Sequence, residues 1–168
     1  MKRMNKKGFT LIELLAVIVI MGILMLVAIP AVQRYINNSK ADTYVNTVKE
    51  IVNVVKTSDA AGELVSDGKV CNSGVYYVAF GDAEDKILES GGKSPYDKSQ
   101  TIKGYVKIDA STTKHTYTVL ATDGAYSTVS GDSVSDLGED ALSRANIKQA
   151  SGSASIPTET GTKTCTIQ

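Results

Sequence analysis

Two sets of side chains in this sequence call for a chemical explanation. The first is Glu13, the one charged residue in the 21-residue run from Phe9 to Ile29 (FTLIELLAVIVIMGILMLVAI). A carboxylate in so apolar a stretch is costly unless something pairs with it, so it points to a function rather than to packing. The second is the cysteine pair Cys71 and Cys165. On the oxidising side of a membrane they form a disulfide that ties the loop after a long helix to the end of the chain; the alternative is two free thiols.

Catalytic chemistry finds little to use. The single His, His115, sits among Thr and Tyr in a predicted strand, where a structural role is expected rather than that of a base. One His and two Cys fall short of a His/Cys zinc site. The acidic groups Asp82, Glu84, Asp85 and Glu139, Asp140 lack the spacing of a calcium loop and read as solvated turns. Ser90-Gly91-Gly92-Lys93 has no strand before it and no helix after it, and reads as a turn, not a phosphate cradle. No enzyme activity, metal or cofactor is expected.

The element that carries Glu13 is the most legible in the chain. A helix over the 21 residues would span roughly 32 Å, about the hydrocarbon thickness of a bilayer. Four of the 18 basic residues (Lys2, Arg3, Lys6, Lys7) precede it and all 18 acidic residues follow them. That flank keeps the N-terminus cytoplasmic, so everything after about Pro30 is expected to be exported. The remainder carries a net charge of −4, which supplies no field for nucleic acid or anionic lipid. A removable signal peptide would have a shorter apolar core and a small-residue cleavage site, which this run lacks. A plain signal anchor has no use for Glu13.

Beyond Pro30 the pattern becomes striped. Tyr35, Ile36, Ala41, Tyr44, Val45, Val48, Ile51, Val52 and Val55 follow helical spacing, with Asn46, Lys49, Glu50, Asn53 and Lys56 opposite. One helix from about 9 to 57 would be roughly 74 Å long. Gly22 and Pro30 weaken it, and Pro30 is expected to kink or locally melt it. Either Pro30 is incidental at the membrane exit, or it marks a place where the helix unwinds in function. Asn37-Asn38-Ser39 is a second soft place.

The rest reads as loops and strands: a polar connection over 59–68, then strands at 75–80, 101–109, 115–122 and 125–129. Ala110 to Thr113 joins the second and third as a hairpin, so the sheet is expected to be antiparallel, with about three or four strands. A short helix is expected over about 137–147, capped by Ser135 or Asp136. The Ser/Thr/Gly-rich tail 151–164 reads as loop.

The residues Lys6-Lys7-Gly8-Phe9-Thr10-Leu11-Ile12-Glu13, running straight into the apolar helix, resemble the prepilin signature of the type IV pilin superfamily. The resemblance covers residues 1 to 58. It implies a leader, 1–8, that a prepilin peptidase removes by cutting between Gly8 and Phe9, with methylation of Phe9. It places Glu13 at the family's acidic position and Gly22 and Pro30 where the family has helix-loosening residues. Cutting there removes all four leading basic residues and creates an α-amine at the membrane surface. The amine of a neighbouring subunit is then a partner for Glu13 that sets axial register; the subunit's own amine, one turn away, is another. Many members carry a disulfide near the C-terminus, although the spacing of Cys71 and Cys165 is wider than the common short loop.

The resulting expectation is an α+β pilin: a filament-core helix over 9–30 and an exported head over 31–168. In the head a helical part, 31–57, packs on the sheet and loops of 58–168. The precursor is expected as a single-pass protein of the cytoplasmic membrane and the product as a pilus on the cell surface, serving adhesion, motility or DNA uptake. The resemblance implies as partners further copies of the chain, the peptidase, an assembly ATPase and a membrane platform protein. A pseudopilin of a secretion or DNA-uptake machine is the alternative within the superfamily; a monomeric membrane-tethered domain is the alternative outside it.

Overall fold

A computed structural model of the chain describes residues 9–81, 87, 92–131, 133–150 and 163–167. The basic leader with Gly8, the acidic group at 82–85 and most of the tail from 151 lie outside the described residues. The chain divides into two units, Met1–Ser39 and Lys40–Gln168.

Helix α1 runs over Leu11–Ala61 and contributes to both units. Its backbone stays helical through Gly22, Pro30 and the Asn37-Asn38-Ser39 stretch. In the first unit every residue from Phe9 to Ser39 is exposed, Leu26 and Val27 by three-quarters. By length and composition this part of the helix is able to cross a membrane. Apolar on all sides, it has no inside and outside of its own and needs lipid or other helices around it.

In the second unit α1 buries one face only: Ala41, Tyr44, Val45, Val48, Ile51, Val52, Val55 and Ser58. These recur at i, i+3 and i+4, the spacing of one helical stripe. The helix ends four residues later than its apolar stripe suggested. Gly62, at φ 71°, supplies the left-handed residue that stops it. The Glu63 N–H then donates to the Ser58 carbonyl at 2.9 Å and the Gly62 N–H to Asp59 at 3.1 Å, a Schellman closure of the last turn.

Facing that stripe is a sheet with strands in the order β10-β3-β4-β5-β6-β7. Its centre is the meander β3 (Val75–Phe80), β4 (Lys103–Asp109) and β5 (Thr116–Thr122), antiparallel throughout. Alternate residues (Tyr76, Val78, Phe80; Val106, Ile108; Val119, Ala121) point to the helix and are buried with its stripe in one core. Strand β6 (Tyr126–Ser130) pairs with the end of β5, β7 (Ser133–Val134) pairs with β6, and β10 (Lys163–Thr164) runs parallel to β3 at the far edge. A smaller sheet joins β1 (Leu64–Ser66), β2 (Lys69–Val70) and β11 (Thr166–Ile167) in the order β11-β1-β2.

The α+β class and the antiparallel centre match the sequence reading, but the strands outnumber the expected three or four. The connection over 59–68 is not a simple loop. Asp67 and Gly68, at φ 51° and 74°, make a two-residue turn between β1 and β2, the geometry that Asp-Gly favours. The expected helix over 137–147 is absent. Leu137–Gly138 forms β8 on β5, two 3-10 turns follow at Glu139–Ala141 and Arg144–Asn146, and Ile147–Gln149 forms β9 on β6. Leu137, Leu142 and Ile147 enter the core from these short pieces, so edge pairing and burial override local helix propensity.

Cys71 and Cys165 form a disulfide with their Cα atoms 6.6 Å apart. In the loop-entropy account a ring of that size contributes about 4–5 kcal/mol.

Candidate functional site

The N-terminus of α1 is built by two residues. The Thr10 N–H and its hydroxyl both donate to Oε2 of Glu13, at 2.8 and 2.7 Å. In return the Glu13 N–H donates to Oγ1 of Thr10 at 3.3 Å, and the Leu14 N–H opens the helical ladder on the Thr10 carbonyl. Thr10 is thus the N-cap and Glu13 the third helical residue, the reciprocal arrangement of a capping box. A helix end has donors without partners, and a carboxylate is favoured there by the helix dipole. The sequence reading assigned Glu13 to an amine and overlooked this role, although the spacing Thr-x-x-Glu is its signal. Phe9, immediately before the cap, is 90% exposed.

A second polar cluster holds the other end of the helix. Asp59, in the last turn of α1, has a side chain only 3% exposed. Its Oδ1 accepts the Tyr76 hydroxyl at 2.6 Å; its Oδ2 accepts Nδ1 of His115 at 2.6 Å and the Tyr117 hydroxyl at 2.7 Å. Burial alone pushes the carboxyl pKa up, but the hydrogen bonds from Tyr117, Tyr76 and His115, with the His115 charge, outweigh it and hold it below the usual value. The phenols of Tyr76 and Tyr117 are pushed up, by burial first and by the neighbouring carboxylate second. One turn earlier, Lys56 pairs with Glu139 and lies 5.2 Å from the centre of the Tyr117 ring.

This cluster fastens α1 to β3 and β5. A carboxylate at a helix C-terminus opposes the dipole, so three donors are what make Asp59 tolerable there. His115 is the structural His that the sequence suggested, but its partner Asp59 was not foreseen. Among the described residues no three His, Cys, Asp or Glu side chains converge on a common point.

The structure therefore brings together Thr10 with Glu13 and Cys71 with Cys165, and keeps the two pairs in separate units. A family model described as the prokaryotic N-terminal methylation motif matches residues 3–29. A fimbrial protein of Pseudomonas aeruginosa is 30% identical over 125 residues, covering 74% of this chain and 79% of that protein. The type IV major fimbrial protein FimA of Dichelobacter nodosus is 38% identical over 66 residues, 39% of this chain and 40% of its own. A ComG operon protein 3 homolog of Bacillus licheniformis is 35% identical over 69 residues, 41% of this chain and 67% of its own. No solved structure gives a significant match. The capped apolar helix, the helix-on-sheet head and the extent of the fimbrial match lead to one assignment: the chain belongs to the type IV pilins.

Proposed function

We propose that this pilin is cut between Gly8 and Phe9, methylated at Phe9, and drawn from the membrane into a filament whose centre is built from the first part of α1. The observation that carries this reading is the placement of Glu13. Its carboxylate turns back over the start of the helix, 2.8 Å from the backbone nitrogen of Thr10. A new α-amine on Phe9 is one residue from that contact. Glu13 is thus aimed at the end of the chain that cleavage creates, and an amine arriving from the subunit itself or from a neighbour meets a carboxylate already in position. The apolar surface from Leu11 to Ile36 passes from lipid to neighbouring helices, so Glu13 sets register while burial supplies the cohesion. Gly22 and Pro30 are where the helix loosens during that transfer. An open-ended helical array follows from head-to-tail contacts of this kind. The peptidase, an assembly ATPase and a platform protein are its expected partners, and the cell surface its final location.

Mass spectrometry of the N-terminus in material sheared from cells tests the proposal. A chain beginning at methylated Phe9 in a high-molecular-weight fraction is the expected result. A chain beginning at Met1 and confined to membranes overturns it. One observation favours a second reading: the match to the ComG operon protein 3 homolog covers 67% of that protein. A short pseudopilus of a DNA-uptake machine is that reading. It predicts methylated Phe9 in the cell envelope but little in the sheared fraction.

A further inference from the structure

Residues 163–167 close the edges of two sheets at once. Lys163 and Thr164 lie alongside Tyr76 and Tyr77 on β3, running parallel; Thr166 and Ile167 lie opposite Val65 and Leu64 on β1, running antiparallel. Between them Cys165 donates its N–H to the Tyr77 carbonyl at 2.9 Å and sends its fully buried sulfur to Cys71. The rest of this strap buries little: Lys163, Thr164 and Thr166 are exposed and Ile167 is half-buried. Two short pairings and one sulfur hold it, so the covalent bond decides whether it stays.

What lies beneath the strap does not depend on it. Strand β3 is paired with β4 along all six of its residues and buries Tyr76, Val78 and Phe80 against the helix. Strand β1 is held by its hairpin with β2 and by the fully buried Leu64. Removal of the strap therefore leaves a preformed slot. It is a parallel edge followed by an antiparallel edge, with room for one buried side chain between them. Exposed strand edges are templates for another extended segment.

We propose that this slot is exchangeable, and that once the disulfide is opened it accepts the C-terminal strap of a second copy of the chain, whose Cys165 then bonds to Cys71 in trans. A dithiol opens the bond by giving up two electrons and two protons, which yields two thiols and the dithiol's own disulfide. Closure in trans is thiol–disulfide exchange. The Cys71 thiolate attacks the Cys165 sulfur of a second copy that carries a small thiol as a mixed disulfide, and that thiol leaves as its thiolate. The occupant is a second copy because its strap carries the pattern the slot already holds, exposed on either side of one buried cysteine. Twelve residues, 151–162, separate the strap from Ala150, the residue after β9, and their contour length at full extension is roughly 40 Å. Exchange of short elements between identical chains is a low-cost route to association. The inference does not rest on how the filament assembles.

The test uses the full chain in dodecyl maltoside micelles. Batches with natural and heavy nitrogen are mixed, reduced with dithiothreitol and reoxidised in a glutathione pair, and the Cys71–Cys165 peptides are then weighed. Mixed-isotope bonds are the expected result; bonds confined within each isotope overturn the proposal. In parallel, the reduced chain is offered a peptide of residues 163–167 bearing glutathione on its cysteine, or a scrambled peptide of the same composition. Capture of the strap peptide on Cys71 is expected to be roughly ten-fold greater, the worth of one or two net backbone hydrogen bonds. Equal capture of both, or capture of neither, overturns the proposal. So does loss of hydrogen-exchange protection at Val106 and Ile108 on reduction, since that reports an unfolded head rather than a lifted strap.

Discussion

The hydroxyl of Thr10 donates to Oε2 of Glu13 at 2.7 Å while the Glu13 N–H donates back to that hydroxyl. One side chain thus spaces and orients the other. In Thr10→Ala the carboxylate loses one of its donors and the first turn loses its cap. Faster amide exchange is expected over residues 11–14, with no change in the melting of the head. Exchange rates in micelles, read beside the head's thermal transition, check both halves. A fall in the head's Tm would contradict the separation of the two units.

Asp59 gives a prediction in stability. Asp59→Ala removes the acceptor of Tyr76, Tyr117 and His115 and leaves one buried and one half-buried phenol to find new partners. A loss of about 3 kcal/mol is expected, against about 1 kcal/mol for Tyr117→Phe, which leaves the other two bonds in place. Urea unfolding of the second unit measures both.

The same residue fixes a dependence on pH. The folded-state pKa of Asp59 is held below its ordinary value, so the unfolded chain takes up the proton first as pH falls. Its contribution is complete above the ordinary carboxylate range and is lost as pH drops through the lowered folded value. Unfolding midpoints between neutral pH and pH ~3 should fall more steeply for the native chain than for Asp59→Ala, which lacks this proton linkage.

Gly104 tests how closely β4 approaches β5. A methyl group placed there would sit 1.9 Å from the Leu120 carbonyl oxygen. Backbone must move to admit it, so Gly104→Ala is expected to cost about 2 kcal/mol or more. At Gly138, where nothing lies within 4 Å of the added carbon, alanine is expected to be neutral within about 0.5 kcal/mol. Thermal melting of the two variants is the comparison.

The two parts of α1 should answer the same mutation differently. Ile51, 2% exposed in the head core, should cost about 2–5 kcal/mol of folding stability when cut to Ala. Ile18, 58% exposed, should cost the head nothing. Its loss should appear instead in the yield of sheared filaments, at unchanged precursor levels.

Much of this was legible because long periodic patterns have few alternative explanations. The apolar run with one carboxylate, the stripe from Ala41 to Val55, and the strands around Tyr76, Val106 and Val119 each bury a face that their spacing announces. The misses have a common cause in short pieces paired over long range. Leu137, Leu142 and Ile147 lie five residues apart, off any single helical face, and each enters the core from a separate short piece. The loop expected over 151–164 ends instead in a strand, β10, and within the strap at 163–167 only Cys165 is buried. Asp67-Gly68 and Thr10-x-x-Glu13 were different, because both signals were present in plain residues and went unread.

The ring closed by Cys71 and Cys165 contains strands β3 to β10, every strand of the larger sheet. A protease that cuts an exposed turn within it, such as the one at Ser111 to Lys114, makes two chain ends but not two molecules. In a pilus subunit such a cut leaves the two pieces of the head joined. The damage would become visible only when a reductant let the fragments part.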